Sequence, residues 1–126
     1  HQRLLEKSIE KFRFREALNE LMNLARIGNK YLADNEPWKL FKEDSQRTET
    51  IMNISIQISA SLAILSEPFM PFSSVKLKNL LNINNFSWND AGKQIVKNNH
   101  LINPPVHLFN KIIFLHANFI LKKAVR

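Results

Sequence analysis

The chain has no cysteine, which excludes a disulfide framework, thiol catalysis and cysteine-ligated zinc, and is compatible with a reducing cytoplasmic setting. Glycine is almost as scarce. Two glycines and five prolines in 126 residues leave no glycine-rich phosphate loop, no strand-plus-glycine nucleotide fingerprint and no nucleophile elbow. Stretches of alternating polarity long enough for a strand are also missing, so the expected fold is all-α, a helical bundle. The length is one domain's worth of sequence, expected to be a single domain over residues 1–126. Residues 1–11 already read as helix, with no initiator methionine or targeting segment ahead of them, so the chain is expected to be a fragment of a longer one.

Acidic residues are outnumbered: 18 lysines and arginines face 11 aspartates and glutamates, for a net charge of +7 and a pI near 9.9. That balance favours a polyanionic partner or an anionic membrane surface and does not choose between them. Charge is absent altogether between Glu49 and Glu67, the one stretch that invites a membrane reading. Asn53, Ser55, Gln57, Ser59 and Ser61 are too many polar groups for a lipid-facing helix, and a central bundle helix is expected instead.

The apolar spacing defines the remaining elements. Leu4, Leu5 and Ile9 mark an amphipathic helix, and Phe12-Arg13-Phe14 a break. Phe14, Ala17, Leu18, Leu21, Ala25, Gly28 and Leu32 advance by threes and fours, one face of a helix about twenty residues long, widened by Leu24, Ile27 and Tyr31. Pro37 lacks an amide hydrogen and cannot continue that helix, but it suits the first position of the next. Asp44 or Ser45 then caps the longest helix, which runs to about Ser66 along Ile51, Ile54, Ile58, Leu62 and Leu65. Pro71 or Ser73 opens another helix reaching Leu81. Residues 82–88 are a polar turn with two aromatic anchors, residues 94–102 are expected to be partly extended, and Pro104-Pro105 is expected to introduce a last helix from about Val106 to Ala124.

Trp38 is the sharpest candidate for function. Beside Pro37 in the first turn of a helix it is open to two readings, a half-buried packing anchor or a platform for an unstacked RNA base near unpaired amides. Lys30, Lys39, Lys42 and Arg47 are candidate phosphate contacts for the same ligand, against the alternative of a solvated charged surface. Lys122, Lys123 and Arg126 form a separate basic end, read as favourable charge at a helix C-terminus. The four histidines, His1, His100, His107 and His116, lack metal-ligand spacing and carboxylate support, so no metal site is expected.

One combination of these pieces is more specific than any of them alone. Asn29-x-Tyr31, an acidic turn and Pro37-Trp38-Lys39 are followed by Glu67-Pro68-Phe69-Met70-Pro71, Lys78-Asn79-Leu80-Leu81, Phe86-Ser87-Trp88 and His100-x-Ile102-Asn103-Pro104-Pro105-x-x-Leu108-Phe109-x-Lys111-Ile112. In that order they resemble the anticodon-binding domain of methionyl-tRNA synthetase, over roughly residues 6–113. Beyond Lys111 the run Ile112-Ile113-Phe114-Leu115-His116-Ala117-Asn118-Phe119-Ile120-Leu121 is more apolar than the family's charged segment and departs from it.

The resemblance implies a non-catalytic, cofactor-free RNA-binding piece of a cytoplasmic enzyme whose ATP- and magnesium-dependent chemistry sits in a catalytic domain of the same chain. It implies that Trp38 stacks on the first anticodon base of methionine tRNA, a cytosine. In the family an Asn-x-x-x-Arg pair on a preceding helix selects that base, and no residue here matches it. Two other readings stay open at this point: the helical domain of a leucine, isoleucine, valine or cysteine synthetase, and a protein- or membrane-surface module that docks through its apolar last helix.

Overall fold

A computed structural model describes residues 1–109. Its elements are α1 (Gln2–Glu10), α2 (Phe14–Asn35), α3 (Pro37–Leu40), α4 (Ser45–Leu65), α5 (Pro71–Leu81) and a 3-10 turn, Trp88–Asp90. The described residues contain no strand and are all-α, as expected. None of their helices is long and apolar enough to cross a membrane.

The break before Phe14 is a helix stop closed on itself. Phe12 takes a left-handed backbone (φ 58°), and the amides of Phe12 and Arg13 fold back onto the carbonyls of Ile9 and Ser8. A residue with a Cβ pays about 1–2 kcal/mol in that conformation. The exposed Phe12 ring packs edge-on against Phe14 with centroids 6.2 Å apart. The chain then returns along α1, with Leu5, Ala17 and Leu21 buried between the two helices.

α4 is the central helix, packed against α2, α3, α5 and the 3-10 turn. Asp44 is its cap: the carboxylate accepts the Arg47 amide at 3.0 Å, and the Asp44 carbonyl accepts the Thr48 hydroxyl at 2.8 Å. Gly28 brings α2 close to α4, because a Cβ there would lie 3.0 Å from the Ile58 Cγ2 methyl. The core follows Ala60, Ala63, Ile64 and Leu65 along α4 and is completed by Leu81, Ile83, Ala91, Ile95 and Val96. Of the expected apolar stripes, Ile54 of α4 and Phe14, Leu18 and Ile27 of α2 are exposed instead.

Pro71 opens α5, as expected. The helix stops at Asn82 in a left-handed backbone (φ 56°), which lets the Ile83 amide reach the Lys78 carbonyl at 3.0 Å and turns Ile83 into the core.

Residues 91–103, of which 94–102 are expected from the sequence to be partly extended, form no strand. They run as a strap of turns and irregular chain, held down by the polar residues of α4. The Gln57 carbonyl oxygen accepts the amides of Ile95 and Val96 at 2.9 and 3.2 Å, its amide nitrogen donates to the Val96 carbonyl at 2.6 Å, and the Ser61 hydroxyl accepts the Gly92 amide at 3.0 Å. Farther on, Asn103 donates its amide to Leu80 O at 2.8 Å and His100 Nε2 lies 2.7 Å from Leu81 O. A side chain one helical turn from the next, each presenting acceptors, replaces the strand partner that an extended segment requires. The helix expected from about Val106 does not start there: residues 106–109 are non-helical, with only Leu108 half-buried among exposed neighbours, so this stretch lacks the apolar face that would hold a helix against the bundle. The apolar run 112–121, His116 and the basic end at Lys122, Lys123 and Arg126 lie outside the described residues.

Candidate nucleic-acid interface

α2 and α3 meet at a single residue. Glu36 adopts a left-handed backbone (φ 42°), donating its amide to Leu32 O at 3.0 Å to finish α2, while its own carbonyl accepts the Lys39 and Leu40 amides at 2.9 and 3.2 Å to start α3. Pro37 at the first position of α3 has no amide to satisfy, and its fixed φ suits a helix start. One residue therefore ends one helix, begins the next and sets the angle between them.

The turn that follows is ordered in threes. Pro37 is buried and Leu40 half-buried, so this pair faces α4. Trp38 and Phe41 are 63% and 66% exposed, so the aromatic pair faces out. Lys39 and Lys42 make the third pair, also exposed. Phe41 stays within the helical turn, with α-helical backbone angles and its amide 3.0 Å from Pro37 O. Trp38 is thus not the packing anchor that a tryptophan beside a proline commonly is. Pro37 and Leu40 do the anchoring.

The cations divide into two kinds. Lys30 lies 2.8 Å from Asp34 and Lys39 2.8 Å from Glu36, both in exposed pairs, and the hydrogen bond and charge of Asp34 push the Lys30 pKa above its ordinary value. Exposed pairs of this kind are worth little and exchange readily for another anion. Lys42 and Arg47 make no ion pair among the described residues, although Arg47 gives its backbone amide to Asp44 at the start of α4. The helix-end charge invoked for Trp38 is weaker than the sequence implies, because α3 has only four residues. Its Lys39 and Leu40 amides are already spent on Glu36, and a single turn sums few peptide dipoles.

Sequence reasoning passed over Phe41. The signal was there in the echo of Pro37-Trp38-Lys39 by Leu40-Phe41-Lys42. It also took the polar residues of α4 only as evidence against a membrane span, whereas Gln57 and Ser61 are the fastenings of the strap. Among the described residues no group of three or more histidines, aspartates and glutamates is placed to hold a metal ion. A groove of about 450 Å³ where α1, α2 and α4 meet is lined by Leu24, Ile54, Ile58 and Leu65 together with His1, Gln2, Arg3 and Lys93, while the Gln57 and Ser61 side chains that also reach it are engaged with the strap.

Known proteins resemble the chain across this whole region. The family described as the anticodon binding domain of methionyl tRNA ligase matches residues 2–117. The methionine–tRNA ligase of Bacteroides fragilis is 53% identical over 109 residues, which cover 86% of this chain and 16% of that protein. That of Phocaeicola vulgatus is 52% identical over the same shares, and that of Cytophaga hutchinsonii 53% identical over 83% of this chain and 15% of the relative. The chain thus spans about a sixth of the length of these relatives and belongs to the family of anticodon-binding domains of methionyl-tRNA ligase.

Proposed function

We propose that this domain, residues 1–126, binds the anticodon loop of methionine tRNA as part of a cytoplasmic methionine–tRNA ligase. The catalytic domain of the same protein, using ATP and magnesium, joins methionine to the distant acceptor end. The observation that carries this reading is the exposed indole of Trp38, mounted on a turn whose other side is fixed by buried Pro37. Single-stranded RNA is read by splaying bases onto aromatic faces, and one such stack is worth about 1–3 kcal/mol. Trp38 supplies that face for the first anticodon base, while Lys42 and Arg47, joined by Lys30 and Lys39 once these leave their carboxylates, meet the neighbouring phosphates.

Catalysis is not the task of this domain. Binding the loop far from the reacting atoms turns remote RNA contacts into correct placement of the acceptor end. Stacking is indifferent to base identity, so the groups that choose cytosine lie on another part of the full-length protein. The test is Trp38→Ala in that full-length protein. Charging of methionine tRNA is expected to fall about 5- to 150-fold, while ATP-dependent activation of methionine stays near normal. Charging that is unchanged would rule out the platform.

A further inference from the structure

We infer that Phe41 is a second base platform, so that the turn from Pro37 to Lys42 holds two successive nucleotides of the loop rather than one; this rests on the reading of the domain as an RNA binder given above. The threefold order of the turn carries the inference. Three residues apart on a helical turn, Trp38 and Phe41 share a face, with Cβ atoms about 5–6 Å apart. Both rings are nearly two-thirds exposed, and they do not pack on one another, since Phe12 and Phe14 are the only aromatic pair in contact among the described residues. That separation exceeds the roughly 3.4 Å rise between stacked bases. The pair therefore fits two adjacent bases that have been pulled apart, each seated on its own ring, in the splayed form in which single-stranded RNA is read.

The lysines repeat with the same spacing. Lys39 follows Trp38 and Lys42 follows Phe41, so each aromatic ring has a cation next to it in the chain. Lys39 is held by Glu36 at 2.8 Å, whereas Lys42 makes no ion pair among the described residues. The phosphate joining the two nucleotides is therefore met first by Lys42. On the opposite side, buried Pro37 and half-buried Leu40 clamp the turn to α4, so the spacing of the two platforms is set before RNA arrives. Both rings present a flat apolar face to solvent, and a base has the flat face that both fit.

The experiment measures binding of the methionine tRNA anticodon arm to the full-length protein, with 2-aminopurine in place of the base that follows the one on Trp38. The variants are Phe41→Ala, Phe41→Leu and Phe41→Tyr, with Trp38→Ala alongside. Phe41→Ala and Phe41→Leu are expected to weaken binding about 5- to 150-fold and to abolish the quenching of 2-aminopurine on binding, while Phe41→Tyr keeps both. Leucine preserves apolar area without a π face, so wild-type binding by Phe41→Leu would overturn the inference. So would a loss of thermal stability in Phe41→Ala large enough to show that protein rather than RNA covers the ring. If Trp38→Ala weakens binding and the Phe41 variants do not, only the second platform fails. If Trp38→Ala also binds normally, the RNA-binding reading of the turn fails with it.

Discussion

Replacing Gln57 should release the strap without disturbing the helix that carries it. Gln57 makes three hydrogen bonds to residues 95 and 96, two as acceptor and one as donor, and Ile95 and Val96 are both buried. In Gln57→Leu the helix keeps a good helix former, but two amides and one carbonyl lose their partners together. Each bond contributes about 1 kcal/mol, and a buried group left unpaired costs about 1–3 kcal/mol. Water reaches part of this site, so the expected loss is about 2–4 kcal/mol. That is a large share of a domain's typical stability of about 5–15 kcal/mol. Urea unfolding gives the total, and hydrogen exchange at the Ile95 and Val96 amides locates it. Gln57→Glu separates the roles of the two ends of the side chain. Ionised, it still accepts both amides but sets a carboxylate against the Val96 carbonyl; protonated, it regains a donor, so its deficit should shrink on acidification. A loss below about 0.5 kcal/mol in Gln57→Leu, or unchanged exchange at those two amides, would refute the claim that α4 holds the strap through this residue.

Two further outcomes follow from the charges. Lys42→Ala and Arg47→Ala should each reduce the log–log salt slope of RNA binding by about 0.7, and Lys30→Ala by less, because Lys30 must first give up Asp34; equal slopes for all three variants would show that the exposed pair does not hold Lys30 back. The Asp90 carboxylate accepts the Ser87 amide at 2.8 Å and the Ser87 hydroxyl at 3.0 Å, and these bonds, with a smaller contribution from Lys93, lower its pKa. A lowered folded-state pKa means that this stabilisation is complete above the ordinary aspartate value of about 3.9 and is lost as pH falls through the depressed value. Trp88 emission in a Trp38→Phe background should report the turn loosening only in that acid range, and Asp90→Asn should remove the dependence.

The helices were legible because their causes are local. Threes-and-fours spacing located α2 and α4, Pro37 and Pro71 marked two helix starts, the second of them α5, and Asp44 was one of two foreseen caps. The strap was not legible, because residues 91–103 take their shape from bonds to side chains more than thirty residues away, such as Gln57 and Ser61. Leu18, Ile27 and Ile54 were assigned to apolar faces by spacing, yet they are exposed; periodicity gives a direction around a helix but not the depth of what lies there. At the proposed interface the sequence pointed to Pro37 and Trp38 as a unit. It could not tell that Pro37 points in and Trp38 out, since that division depends on where α4 lies. Nor could it tell which lysines were already engaged, because a carboxylate three or four residues away is equally consistent with a pair and with two solvated charges.

The single-residue joint at Glu36 makes α2 a lever. A helix of 22 residues is about 33 Å long, and with no slack between its end and α3 a tilt of one degree about its far end carries the aromatic turn sideways by about 0.6 Å. Ring-to-base contacts are made at about 3.5–4.0 Å and weaken over gaps of 0.5–1 Å. Because α2 packs closely on α4 at Gly28 and the turn is clamped to α4 through Pro37 and Leu40, that lever is held still at both its middle and its tip, and the fit at Trp38 inherits the precision of the bundle's packing rather than that of the turn alone.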